Sequence, residues 1–386
     1  MSRRSALAAA LLMSLITASP AVATTGQAHR YEITTLAPVP GARSTFAYDI
    51  AEDGTAVGFA TSPDSPVTAV RWDRDGHPTA LPPLDGDGAI AYGVNSAHVV
   101  VGQSAAGRDA HAVRWDKSGV HDLGTLPDDR TSQAEEISDN GWVLGVSIAR
   151  HSRPSIPVRW SPSGRIERLR APDGYPYLNI QGMNRHGIVY GSASDRGPSV
   201  PVLWSLDGVP HILPTLTPGG DDSISDINEH GVAVGYEQVD RLAVPVRWSP
   251  DGHPTRLPGG GDDLYTVASH VNEHGEATGW VIGIPVDREV GLRWDADGTL
   301  RKLEGSPTGS WNAVGIDDRG MSAGTVGDGT TSHPVVWDRA GHATDLPTLP
   351  GIPGDTGIDR ITGSGYILGS IAPPGDPTAC LSITWH

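Results

Sequence analysis

The chain has 386 residues, a formal net charge of −17, 49 glycines, 32 prolines and one cysteine, Cys380. So acidic a balance argues against nucleic acid as a partner, and a single cysteine excludes an internal disulfide. Lysine occurs only at Lys117 and Lys302, so nearly all the basic charge is arginine, the side chain suited to planar pairing with carboxylates.

In chain order, Arg3 and Arg4 precede an apolar run from Ala6 to Ile16 and the small residues Ala21 to Ala23. That is the pattern of a secretory signal peptide over residues 1–23. The general secretory route is expected, with the twin-arginine route as the alternative. Its removal would take the formal charge from −17 to about −19, since two arginines and no acids are lost. No other stretch approaches the roughly 18 apolar residues of a membrane span. The expected mature protein, residues 24–386, is a secreted, extracellular monomer.

Next comes an isolated strand, residues 31–36, and then a repeat. Trp72, Trp115, Trp160, Trp204, Trp248, Trp294, Trp337 and Trp385 recur at steps of 43 to 48 residues. A second series, Gly58, Gly102, Gly145, Gly191, Gly235, Gly279, Gly324 and Gly369, keeps the same phase. Each repeat opens with a first strand ending at Ile50, Val94, Ile137, Met183, Ile227, Val271, Ile316 or Ile361. A turn follows, usually with Asn or Asp able to bond the backbone two residues on, and with Gly54, Gly141, Gly187, Gly231, Gly275, Gly320 or Gly365 supplying a positive φ. Only His98 interrupts that glycine series. A second strand carries the phased glycine, a third ends on the tryptophan, and a turn at Gly76, Gly119, Gly164, Gly208, Gly252, Gly298 or Gly341 leads to a fourth ending on leucine. The period and the strand count predict an all-β, eight-bladed β-propeller of about 44-residue, four-stranded repeats.

The eighth repeat ends at Trp385-His386 without a fourth strand, and Leu36 precedes Ile50 by the same 14 residues that separate Leu257 from Val271. The segment 31–36 is therefore expected to complete the last blade and close the ring, removing two exposed sheet edges.

The phased tryptophans read as packing anchors between blades. Arg71, Arg114, Arg159, Arg247 and Arg293, each just before a tryptophan, are expected to pair with an acid of a neighbouring blade. Trp280, Trp311, Tyr175, Tyr177 and Tyr265 fall outside the phase and are candidates for exposed, ligand-facing rings. The Gly-Asp linkers 85–88, 219–222 and 260–263 offer oxygen ligands of the kind Ca²⁺ takes, without EF-hand spacing. No cofactor and no other metal is expected: the His-bearing turns at 229–231 and 273–275 lie in different blades, and no His-Glu-x-x-His helix occurs.

Two adjacent positions near the end of each first strand vary in polarity while the scaffold does not. First strands usually line a propeller's channel, so Tyr48, Asp49, Tyr92, Glu135, Glu136, Gln181, Asp226, His270, Asp359 and Arg360 form the candidate ligand-binding funnel. Glu135 and Glu136, as neighbours in one strand, are expected on opposite faces, so that an acid pair would have to come from different blades.

The unit Ile-Asn-x-x-Gly, a Val-Gly strand, His111-Ala-Val-Arg-Trp115 and then Asp122-Leu-Gly-Thr-Leu126 resembles the HAF repeat of bacterial extracellular proteins, with His333-Pro-Val335 and Val271-Asn-Glu-His-Gly275 as further matches. It departs in using Val where that family prefers Phe. The resemblance implies export and a repeat architecture, and assigns no residue a role. The expected function is that of a secreted, non-enzymatic protein that binds a polysaccharide or an extracellular protein. The alternative is a glycoside hydrolase or lyase working with funnel carboxylates.

Overall fold

The computed structural model describes residues 31–386 apart from 64, 150–154, 260–263, 284–288, 306–308, 328–330, 351–354 and 373–379. The signal segment 1–23 and the linker 260–263 therefore lie outside the described residues. The described residues form eight four-stranded antiparallel sheets and no helix, an eight-bladed β-propeller. Blade 1 runs from Ser44 to Ala80, blade 2 from Ala89 to Asp122, blade 3 from Asp129 to Arg168 and blade 4 from Tyr177 to Ile212. Blades 5, 6 and 7 run from Ser223 to Arg256, Leu264 to Lys302 and Trp311 to Asp345.

Blade 8 takes three strands from Asp355–Ile361, Ile367–Ala372 and Leu381–Trp385, and its fourth from Ile33–Thr35. Ile33 opposes Trp385, Thr34 opposes Thr384 and Thr35 opposes Ile383. Glu32 and His386 exchange backbone hydrogen bonds beyond them. The closure predicted for 31–36 is the closure observed.

Both families of turn glycines are left-handed, with φ between 76° and 93° in the first-to-second-strand turns. His98 keeps the conformation (φ 57°) although it breaks the glycine series. The phased glycine of the second strand has a different cause. In every blade the first strand carries a β-bulge, its extra residue falling between Ala47 and Asp49 in blade 1 and between Ile358 and Arg360 in blade 8. The other six match them. The bulge presses a first-strand carbonyl onto the opposing glycine: a Cβ there would stand 1.9 to 2.3 Å from that oxygen. Glycine is the one residue that fits.

Eight apolar cores lie between blades, each capped by a phased tryptophan or its neighbours. Every one of the eight indole N–H groups donates, at 2.6 to 2.8 Å, to a carbonyl at the end of the preceding blade's fourth strand. For Trp72 that carbonyl belongs to Ala37, so the closing strand anchors blade 1 as well.

The arginines before the tryptophans correct one expectation. They bridge blades, but to backbone carbonyls. Arg114 donates to Pro162, Arg159 to Ser205 and Leu206, Arg247 to Asp295 and Ala296, and Arg293 to Gly320. Their acidic partners sit in their own blade: Glu167 for Arg159 and Glu276 for the fully buried Arg293. The reason is geometric: the turns after Trp160, Trp204 and Trp294 point carbonyls at the previous blade's third strand, and for Arg293 the turn after the first strand of blade 7 does so.

Candidate functional site

The first strands of successive blades adjoin one another round the whole ring and so line the channel. At one mouth stand the turns that follow them. The turn asparagines cap their own turns, as Asn228 Oδ1 does for the amides of His230 and Val232. Their other end also reaches the next blade: Asn95 Nδ2 donates to Ser138 O, Asn184 to Asn228 O, Asn228 to Asn272 O and Asn272 to Asp317 O. One side chain thus serves both the turn and the ring.

Arg185 closes this mouth. From blade 4 it reaches Glu52 of blade 1 (3.1 Å), Glu273 of blade 6 (3.4 Å) and Glu229 of blade 5 (3.5 Å). Burial works against its charge, and Glu52, Glu229 and Glu273 outweigh it, so the guanidinium is held more firmly protonated than usual.

Above Arg185 lies a polar chamber built from the second of the two variable positions. Going round, these are Asp49, Gly93, Glu136, Gly182, Asp226, His270, Gly315 and Arg360. The carboxylates stand in blades 1, 3 and 5, and each takes a backbone amide of the following blade: Val94 on Asp49, Met183 on Glu136 and Val271 on Asp226. Arg360 donates to Asp49 at 2.6 Å. Its charge is held up first by Asp49 and then, against burial, by Glu136, Tyr190 and Asp226. Although deep within the ring, its side chain keeps 54% of its surface accessible, so the chamber is open at that point.

Burial raises Glu136 to about 7, with Arg360 and the Met183 amide opposing. Burial lowers His270, against the pull of Asp226. The chamber therefore holds, near neutral pH, a carboxyl poised between its two states and, next to Asp226, an imidazole biased towards its neutral form. Tyr190 enters the chamber from the second strand of blade 4 and donates to Asp226 Oδ1 at 3.3 Å. It does so because position 182 is glycine: a Cβ there would lie 2.6 Å from the phenolic oxygen.

The ten predicted funnel residues divide accordingly. Asp49, Glu136, Asp226, His270 and Arg360 meet in the chamber. Tyr48, Tyr92, Glu135, Gln181 and Asp359 are the extra residues of the bulges. Tyr48 packs against Tyr92 in a tilted contact at 5.3 Å, and burial raises Asp359 against a hydrogen bond from Ser370. The expectation that Glu135 and Glu136 point to opposite faces fails, because a bulge suspends the alternation. Glu135 is near enough for its charge to raise Glu136.

A second feature lies at the other ends of the same strands. Between blades 4, 5 and 6 opens a cleft of about 410 Å³ with Tyr177, Tyr236 and Tyr265 on its walls and Asn179, Ser192, Asp221 and Gln238 among them. Tyr177, Asp221 and Tyr265 occupy one equivalent position, four residues before the bulge residue, in three successive blades. Trp280 stacks behind Tyr265 at 5.7 Å. Of the out-of-phase aromatics, Tyr177 and Tyr265 thus face the cleft. Trp311 packs inward with its indole on Leu303 O, and Tyr175 packs into the core of blade 4. Tyr236 was not among the sequence candidates. Its signal is position: the residue after each phased glycine reads Phe59, Gln103, Val146, Ser192, Tyr236, Trp280, Thr325, Ser370, as variable as the funnel pair.

The described acids of the Gly-Asp linkers serve backbone amides: Asp85 that of Gly107, Asp221 that of Ser199 and Asp222 that of Gln238. Among the described residues the one cluster with metal-ligand spacing is Asp73, Asp75 and His77, an exposed turn of blade 1 in which Asp73 caps the amides of Asp75 and His77.

No protein-family model matches the chain, and no curated protein matches it. Solved structures do. A streptogramin B lyase is 11% identical, with 92% of this chain and 97% of that one covered and a TM-score of 0.45. Porphyromonas gingivalis dipeptidyl peptidase 4 is 11% identical, with 88% and 59% covered and a TM-score of 0.56. A prolyl endopeptidase is 12% identical, with 86% and 46% covered and a TM-score of 0.53. The chain spans about half the length of these two peptidases. At such identities the likeness is one of fold.

Proposed function

We propose that the protein is a secreted, non-enzymatic binding propeller whose ligand is a polysaccharide, held in the cleft between blades 4, 5 and 6. The observation that carries this reading is the set of three tyrosines around an open cleft with amide, hydroxyl and carboxylate groups between them. Sugar rings present C–H faces that stack on aromatic rings and hydroxyls that need short polar side chains. Export rests on the signal-like segment and on the HAF-repeat resemblance. An extracellular protein partner is the other occupant such a face could take. The test is calorimetric titration with soluble oligosaccharides of the wild type and of Tyr236→Ala and Tyr265→Ala. Binding weakened about tenfold or more in both variants supports the reading, and glycan binding indifferent to both overturns it.

One observation favours a second reading, a glycoside hydrolase or lyase. Glu136, raised to about 7 by burial first and also by the charges of Asp49 and Glu135, has the poise of a general acid. Turnover of any glycan that is lost in Glu136→Gln, with binding retained, would replace the first reading by this one.

A further inference from the structure

The cleft is electrostatically one-sided. Its lining contains one charged residue, Asp221, and no Lys, Arg or His. One oxygen of Asp221 accepts the Ser199 amide at 3.0 Å, which fixes the carboxylate at the cleft wall. Two more carboxyls stand behind it. Asp222 accepts the Gln238 amide, and Glu237, wholly buried, accepts the amides of Leu216 and Thr217. Arg196 borders the cleft through Tyr177, whose hydroxyl accepts its Nε–H at 2.7 Å. The phenols of Tyr236 and Tyr265 are both raised, by burial first and also by the charge of Asp221. Asp221 thus shares the cleft wall with the phenol groups of Tyr236 and Tyr265 and acts on both.

Resting on the glycan-binding reading, we propose that the cleft selects glycans bearing free primary amines, with the ammonium of a deacetylated amino sugar placed on Asp221 between the Tyr236 and Tyr265 rings. An ammonium there gains a carboxylate partner and two phenol oxygens as neighbouring acceptors. A uronate or sulfated sugar would instead bring a negative charge to Asp221, with Asp222 and Glu237 behind it, while the basic side chain bonded at the cleft's edge, Arg196, is engaged by the Tyr177 hydroxyl. Neutral and N-acetylated sugars can stack on the tyrosines but leave Asp221 without a charged partner.

The experiment titrates the full-length mature chain with four hexasaccharides: glucosamine, N-acetylglucosamine, glucose and galacturonate. The expected result is binding of the glucosamine hexamer about tenfold tighter than its N-acetylated form, a difference that shrinks as salt is raised. Asp221→Asn should abolish the difference and keep the weaker affinity, whereas Asp251→Asn, an exposed acid on the outer turn of blade 5, should leave it intact. Equal affinity for the aminated and N-acetylated hexamers, with both weakened by Tyr236→Ala, would overturn the amine preference and leave the glycan reading standing. Preference for the amine that survives Asp221→Asn would overturn the proposal by assigning it to the general acidity of the surface. Absence of binding to all four would overturn both.

Discussion

The space between blades 1 and 2 and the cleft between blades 4 and 5 are the same place in the repeat, furnished differently. In blade 1 the paired positions two before the bulge and one after the phased glycine are Phe46 and Phe59, stacked at 4.8 Å, with Tyr48 and then Tyr92 packed beyond them in tilted contacts. In blade 4 the corresponding pair is Asn179 and Ser192, and the volume two phenyl rings would fill is open. The backbone, the bulge and the glycine are unchanged. A propeller can therefore place a cleft at any joint by shrinking two side chains, because the cores that hold the blades together lie on other positions.

That comparison is open to direct attack. The largest effect is expected from Phe59→Ser, which gives blade 1 the blade 4 residue: a loss of about 2 kcal/mol, since the ring is half-buried and stacked, read by urea unfolding. The reciprocal Ser192→Phe should close the cleft and weaken glycan binding at least about tenfold, or about 1.4 kcal/mol, with the unfolding midpoint nearly unchanged. If Ser192→Phe binds normally, the cleft is not the site. Gly182→Ala, in blade 4 but on the chamber side, should cost about 1 kcal/mol by driving Tyr190 off Asp226 while leaving glycan affinity intact. Restored stability in Gly182→Ala/Tyr190→Val would assign the cost to that clash.

The smallest effect concerns pH. Burial raises Asp222, beside the cleft, to about 6 from an ordinary 3.8, with the Gln238 amide opposing. A raised folded-state value means that the native protein binds the proton more tightly than the unfolded chain. The stability it contributes is full below about pH 3.8 and is lost as pH rises through about 6. Asp222→Asn should flatten that part of the curve, whereas the blade 2 counterpart is Ala89 and contributes no such slope.

Period, blade count, turn conformations and the closing strand were all legible in the sequence, because each depends on residues within one repeat or on its count. His98 shows the strength of that reading: the glycine fails, and the backbone conformation persists. The variable pair was visible too, but its meaning was not. Alternation of side chains is a property of regular strands, and a bulge in the first strand converts Glu135 and Glu136 from opposite-facing neighbours into interacting carboxyls. Arg185 was invisible for another reason. Its partners Glu52, Glu229 and Glu273 lie 133, 44 and 88 residues away, joined only by the curvature of the ring. Tyr236 was overlooked although Trp280, its equivalent in the next blade, was singled out, because the position after the phased glycine was not read as a series.

The seam between the chain's ends also sets a timetable. Blades 1 to 7 each pair strands that follow one another within about 45 residues, so each can form as soon as its own segment is available. Blade 8 cannot. The amide of Ala47 waits for the hydroxyl of Ser382, 335 residues later, and Ile33 waits for Trp385. At roughly 5–20 residues per second of synthesis, the first blade spends tens of seconds with one face uncovered. Slow completion at the last step, with fast local folding before it, is the kinetic signature this ring should display.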